Sequence, residues 1–147
     1  MSPAPWGGLV KPKLIVLKAG RKLPALEFVD GDYETWIGRE MGLMDRAVKV
    51  VDIRGGDDLP PVEEAGPVVI TGSTSMVTER AGWMVSTAAW LVETAARGAP
   101  ILGICFGHQL LAQALGGTVA DNPRGTEVGS IRVAVTEAGR RDPLFGS

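Results

Sequence analysis

The chain has 147 residues, of which 22% are charged and 45% hydrophobic, and its formal net charge at pH 7 is −2. These values are typical of a globular protein, so they exclude a disordered chain and argue against a polyanionic partner such as nucleic acid. No apolar stretch reaches the ~20 residues of a membrane span, no secretory signal pattern is present, and a single cysteine excludes an intramolecular disulfide. We expect one cytoplasmic domain that binds neither nucleic acid nor membranes.

The predicted elements follow one another as short apolar strands and amphipathic helices. Residues 1–12 are rich in proline and glycine and are expected to form a flexible leader, followed by a single domain over 13–147. Within this domain, short apolar or β-branched runs, two of them closed by glycine, predict strands at 13–20, 47–53, 67–72, 99–104 and 129–135. Periodic apolar stripes predict helices at 32–44, 82–97 and 107–117.

This order of elements predicts the fold class. Strands that are apolar on both faces and alternate with amphipathic helices are typical of a mostly parallel sheet that is covered on each side. The expected architecture is therefore α/β, an open, doubly wound, flavodoxin-like sheet with helices on both faces. In such sheets chemistry takes place beyond the carboxyl ends of the strands, so the loops after "VVITG" and "ILGIC" should be neighbours.

The only cysteine of the chain lies in a pattern that suggests a nucleophile. Residues Gly103-Ile104-Cys105-Phe106-Gly107 have the spacing of a nucleophile elbow, in which a tight turn between a strand and a helix exposes the reactive side chain. A helix N-terminus favours thiolate over thiol, and the N–H groups of Phe106 and Gly72 could stabilise an oxyanion. From its position alone, a lone cysteine is more often a small buried hydrophobe, and it is the flanking glycines that favour the catalytic interpretation.

The wider sequence around this cysteine resembles a known family. "PILGICFGHQLLAQALGG" (100–117) resembles the nucleophile segment of class I glutamine amidotransferases, whose signature is glycine-x-cysteine-x-glycine-x-glutamine. "VVITGSTSMV" (68–77) resembles the oxyanion segment, and "NPRGTEVG" (122–129) resembles the subgroup similar to the glutaminase part of GMP synthase. The resemblance implies hydrolysis of glutamine, or of other γ-glutamyl compounds, through a γ-glutamyl thioester, with the ammonia passing to a synthetase partner.

The resemblance also implies residue roles. Cys105 would be the nucleophile, Gly72 and Phe106 would form the oxyanion hole, and Gly103 and Gly107 would shape the elbow. The substrate would be held by Gln109, Glu127, Val128 and Gly129. Ser73 stands where the family usually has a second glycine, as is often the case in this subgroup. No cofactor is expected, and with one histidine and one cysteine no metal site is expected either.

The general base is the part of this expectation that the sequence leaves open. The family uses a histidine and a glutamate, separated by one residue, downstream of the cysteine, whereas His108 is the only histidine here. We expect the chain to be the N-terminal portion of a longer enzyme, with an exposed sheet edge that promotes aggregation or oligomer formation. His108 could act as a base only by bonding directly to the sulfur, and a helix that runs away from an elbow makes a packing role more natural.

Two alternatives remain. The chain could be a non-catalytic domain that binds a partner subunit. It could also be a related elbow-cysteine hydrolase or glyoxalase-like protein. In those proteins a histidine often follows the cysteine directly, whereas in this chain Phe106 follows it.

Overall fold

The computed structural model describes residues 13–43 and 48–145, so the predicted leader lies outside the described residues. Eight helices and strands follow in order: β1 (Leu14–Lys18), α1 (Tyr33–Glu40), β2 (Val48–Asp52), β3 (Val68–Ile70), α2 (Gly82–Ala96), β4 (Ile101–Gly103), α3 (Phe106–Ala114) and α4 (Glu137–Arg141). All the predicted elements up to residue 117 are thus confirmed, with boundaries that differ by a few residues.

The four strands form one parallel sheet in the order β2-β1-β3-β4. In the register of the two central strands, Leu17 of β1 lies opposite Ile70 of β3 and, on its other side, opposite Val51 of β2. All carboxyl ends therefore meet at one edge, which we call the carboxyl edge. The predicted parallel α/β sheet is confirmed.

Alternation along the strands divides the core between the two faces of the sheet. Ile15 and Leu17 point to the face that α2 and α3 cover, where they pack with Ile70, Leu91 and other apolar side chains. Leu14, Val16 and Val69 point to the opposite face, where Ile37 of α1 covers them. Because both faces are covered by helices, strands that are apolar on both sides are the stable choice, as the sequence suggested.

Helix α2 buries one stripe, as its periodicity predicts. Its fully or nearly fully buried residues are Met84, Thr87, Trp90, Leu91 and Thr94. The indole N–H of Trp90 donates a 2.7 Å hydrogen bond to the carbonyl of Pro60, so this large side chain also anchors the loop before β3.

The strand predicted at 129–135 is wrong, because this segment has no regular structure. Ile131 and Val133 alternate with polar or small residues as in a strand, but their side chains are 76% and 77% exposed. A strand needs a neighbour whose N–H and C=O groups complete its ladder. Within the described part of the chain, no strand lies beside this segment, so the alternating pattern alone does not produce one.

A candidate active site at the carboxyl edge

Cys105 lies in the turn between β4 and α3 with a backbone conformation that few residues adopt. Its φ is 52° and its ψ is −109°, and its side chain is exposed. A non-glycine residue in such a conformation costs on the order of 1–3 kcal/mol and persists only where the surrounding structure imposes it. The predicted elbow geometry is therefore present, with the thiol presented above the sheet.

The glycines on either side of the elbow are required by close backbone contacts. A Cβ added to Gly103 would lie 2.5 Å from the carbonyl carbon of Gly107, and one added to Gly107 would collide with the carbonyl of Ile70. The turn is held against β3 by the N–H of Ile104, which donates a 3.0 Å hydrogen bond to the same carbonyl of Ile70. The elbow is thus packed directly onto its neighbouring strand.

The side chain of Phe106 anchors the start of α3 in the core. Its ring is buried in the core that α2 and α3 cover, and its centroid lies 5.5 Å from that of Trp83 in α2. The side chain of Phe106 therefore belongs to the core, while its backbone N–H is the first of helix α3. This division lets one position both stabilise the turn and offer a donor beside the thiol.

The loop after β3, residues 71–75, lies next to the elbow and is here called the Gly72 loop. A Cβ added to Gly72 would lie 3.8 Å from the Cβ of Cys105, so the two loops are neighbours as predicted. Neither the N–H of Gly72 nor that of Phe106 donates a hydrogen bond to another described residue. Two donors are thus available beside the exposed thiol.

Thr71 is a functional candidate that sequence reasoning missed. It is completely buried, its hydroxyl accepts a 2.9 Å hydrogen bond from the N–H of Ala19, and it donates a 3.0 Å bond to the carbonyl of Gly72. The hydroxyl therefore connects the end of β1 to the Gly72 loop. A hydroxyl residue at the end of an otherwise apolar strand was the signal that could have identified it.

The other predicted substrate residues are placed unequally. Gln109 is half-buried on α3, and its N–H donates a 3.2 Å hydrogen bond to the carbonyl of Cys105. Glu127, Val128 and Gly129 lie in an exposed segment, where the Glu127 carboxylate is 3.6 Å from the guanidinium of Arg124 and Val128 is 94% exposed. Among the described residues, no hydrogen bond or ion pair joins these three residues to the elbow, and their substrate role remains a prediction.

His108 lies on the first turn of α3 and is exposed. No hydrogen bond among the described residues joins its ring to the sulfur of Cys105.

The described residues also contain no group of three or more histidine, cysteine, aspartate and glutamate side chains arranged to hold a metal. None of the helices in the described ranges is long and apolar enough to cross a membrane.

A cluster of charges at the end of β1 holds α1 in place. The ammonium of Lys18 lies 2.8 Å from Asp32 and 2.7 Å from Glu34, and all three side chains are mostly buried. Burial by itself would lower the pKa of Lys18, but the hydrogen bonds to Asp32 and Glu34 outweigh it and raise that pKa. Burial likewise opposes ionisation of Asp32, yet bonds from Lys18 and from the N–H groups of Tyr33 and Lys22 lower its pKa overall.

Comparison with known proteins decides the family. The family model described as glutamine amidotransferase class-I matches residues 28–144, which include the elbow and the Gly72 loop. The chain belongs to the class I glutamine amidotransferase family. A solved structure, the glutamine amido transferase from Methylobacillus flagellatus, shares the fold of this chain with a TM-score of 0.59 and 23% identity, covering 78% of this chain and 43% of that one.

Curated relatives of this chain are larger proteins. The Saccharomyces cerevisiae protein YLR126C, whose own assignment as a glutamine amidotransferase is provisional, is 30% identical over 97% of this chain and 53% of its own length. GMP synthase from Aeropyrum pernix is 37% identical over 69% of this chain and 18% of its own. Gamma-glutamyl peptidase 4 from Arabidopsis thaliana is 36% identical over 53% of this chain and 32% of its own. The chain thus spans about half or less of these relatives.

Proposed function

We propose that this domain hydrolyses the side-chain amide of glutamine, or the equivalent amide of a γ-glutamyl compound, through a thioester on Cys105. The observation that carries the proposal is the elbow. It holds an exposed thiol in a strained turn at the N-terminus of α3, with the Gly72 loop beside it. The family relationship supports the same reaction class.

In the first step the Cys105 thiolate attacks the γ-carbonyl carbon, and the carbonyl oxygen becomes an oxyanion. The N–H groups of Gly72 and Phe106 are free to bind that oxygen, and the partial positive charge at the start of α3 stabilises it further. The bond from carbon to nitrogen then breaks, and the nitrogen takes up a proton and leaves as ammonia or an amine. Water next attacks the thioester carbonyl, which releases glutamate and returns the thiol.

We assign no residue of the described chain to protonation of the leaving nitrogen. An imidazole close to the sulfur is the usual donor, and His108 forms no hydrogen bond with Cys105 in this structure. We propose that attack of Cys105 on the γ-carbonyl carbon is intrinsic to this domain, whereas release of the nitrogen and turnover require a proton donor, the role of the histidine in the family's histidine–x–glutamate pair. For free glutamine as substrate, the proposed partner is a synthetase that accepts the ammonia, because GMP synthase is among the relatives.

The test is the intact mass of the chain after exposure to an electrophilic diazoketone analogue of glutamine. We expect one adduct, on Cys105, whose formation is slowed by excess glutamine and abolished in a Cys105→Ser variant. Iodoacetamide serves as the control, because it reports only the accessibility of the thiol. Labelling by iodoacetamide but not by the analogue would mean an exposed cysteine without a glutamine pocket, and the proposal would then give way to a non-catalytic, partner-binding domain.

A further inference from the structure

A cavity of about 440 Å³ opens at the carboxyl edge between the loops that follow β1 and β2. It is here called the arginine cavity, and its lining includes Gly20, Arg21, Lys22, Asp52, Arg54 and Thr74. None of them is assigned a role by the family motifs discussed above. The cavity lies at the edge of the sheet where α/β proteins of this architecture bind their ligands.

The arginine cavity shares a wall with the elbow site. A Cβ added to Gly20 would lie 2.8 Å from the Cα of Ser73 and 2.9 Å from the carbonyl oxygen of Gly72, so the β1 loop packs against the Gly72 loop with no space between them. Thr74 of the same loop lines the cavity. Two residues of backbone span at most about 7 Å, so the cavity lies within reach of a small ligand bound over Cys105.

The two arginines of the cavity have fewer hydrogen-bond and ion-pair partners than its other charged residues. Arg21 is 77% exposed, and its single ion pair with a described residue is a 3.5 Å contact with Asp52. Arg54 is exposed and has no ion-pair partner among the described residues. Asp52 already accepts a 2.7 Å hydrogen bond from the N–H of Gly55, and the ammonium of Lys22 donates to the carbonyl of Val29. Two guanidinium groups thus retain most of their donors, and Asp52 is the only acidic residue that lines the cavity; the nearby Asp57 carboxylate accepts a 2.8 Å hydrogen bond from the N–H of Asp52.

We propose that the arginine cavity binds the terminal carboxylate of a leaving group, so that the preferred substrate is a short γ-glutamyl peptide rather than free glutamine. This inference rests on the proposed function, since the γ-glutamyl part must bind at the elbow. Free glutamine ends at the amide nitrogen and leaves the cavity empty. A γ-glutamyl tripeptide extends by about 3.5 Å for each added residue and places a carboxylate near the two arginines, which bind carboxylates through paired N–H groups.

The test compares two ligands that differ only in that carboxylate: γ-glutamylglycylglycine and its C-terminal amide. Binding is measured by titration calorimetry to the chain carrying Cys105→Ser, which prevents cleavage. We expect the free acid to bind about tenfold more tightly than the amide, as one charge-assisted contact would give. This advantage should disappear when Arg21→Gln and Arg54→Gln are combined.

The matched control is Arg97→Gln, which removes an exposed arginine that pairs with Glu63 at 3.7 Å, away from the cavity. It should leave the advantage of the acid unchanged. Circular dichroism and thermal unfolding check that each variant is folded.

Each outcome separates this inference from the proposed function. Equal binding of acid and amide, or an advantage that survives the double substitution, overturns the carboxylate subsite and leaves the elbow chemistry standing. Binding of inorganic phosphate as tight as that of the peptide would make the cavity a site for free anions and would overturn its substrate role. If neither peptide nor glutamine binds, the proposed function fails, and the subsite fails with it.

Discussion

At the scale of single residues, the candidate site depends on a few positions at which only one kind of side chain fits. The strain at Cys105 is maintained because the flanking glycines allow the turn to pack onto the backbone of β3. Thr71 acts differently, because its hydroxyl donates a hydrogen bond to the carbonyl of Gly72 and so positions the Gly72 loop. Both kinds of residue can be tested by substitutions that leave the thiol itself in place.

We expect Gly107→Ala to lower the free energy of unfolding by about 1–3 kcal/mol, because the new methyl group would collide with the backbone carbonyl of Ile70. Urea unfolding measures this change. The matched control is Gly82→Ala at the start of α2, where an added Cβ meets nothing within 4 Å and the stability should change by less than about 1 kcal/mol. Equal effects of the two substitutions would contradict the packing argument.

Thr71→Val should slow labelling of Cys105 by the glutamine analogue about tenfold, because the Gly72 loop loses its tether. Labelling by iodoacetamide should be unaffected, since the thiol stays exposed. Thr71→Ser, which keeps the hydroxyl, should restore the rate with the analogue. Slowing of both reagents together would show that the substitution acts on the thiol itself and would contradict a positioning role of Thr71. Thermal unfolding checks that each variant is folded, because an unfolded chain would also lose reaction with the analogue alone.

At the scale of elements, the charge cluster at the end of β1 determines how α1 begins. Asp32 accepts hydrogen bonds from the N–H groups of Tyr33 and Lys22, both 2.8 Å long, and so serves as the N-cap of α1 while also binding Lys18. A helix of eight residues depends on such contacts, because short helices are unstable by themselves. The cluster therefore joins α1 to the central strand.

Asp32→Ala should lower the free energy of unfolding at pH 7 by about 1–3 kcal/mol, through loss of the cap and of a partly buried ion pair. Since the pKa of Asp32 in the folded protein lies below its usual value of 3.8, the ionised carboxylate stabilises the fold above that pH, and this contribution is lost as the pH falls through the folded-state pKa. Urea unfolding of both proteins at pH 7 and at about pH 3 should show the difference shrinking in acid. A difference that is independent of pH would contradict the role of the charge.

At the scale of the whole molecule, the structure divides into a packed sheet with its helices and an exposed segment after α3. Every residue from 120 to 138 in this segment is exposed, whereas the central strands are almost completely buried. Segments with few buried contacts open at little free-energy cost and are the preferred sites of proteolysis. Among the described residues, a protease should therefore cleave the exposed segment after α3 first.

Brief trypsin digestion should cleave after Arg124 and Arg132 at least about tenfold faster than after Arg97, at the end of α2. Mass spectrometry of the early fragments measures the order of cleavage. Early cleavage at Arg97 would contradict this prediction, because that bond lies between a helix and β4 within the packed part of the molecule.

Most of the architecture and the centre of the candidate site could be predicted from local sequence. Short apolar or β-branched runs predicted the four strands, apolar stripes predicted α1 to α3, and the spacing of Gly103, Cys105 and Gly107 predicted the elbow. These features follow from the sequence because each depends on neighbours within a few positions: a burial pattern, a turn, or a side chain too large for the space available.

Other features depend on contacts between distant parts of the chain and could not be predicted from local pattern. The alternating residues 129–135 have the local pattern of a strand but no neighbour to pair with, because a ladder requires a second strand in register. Thr71 and Ala19, 52 positions apart, and Lys18 and Asp32, 14 positions apart, meet only because β1 is paired with β3 and α1 covers its face. The sequence therefore determined the types of element and the chemistry of the elbow. The order of the strands then brought the Gly72 loop, the thiol and the arginine cavity to one edge, since proximity across a sheet is a property of the packed chain.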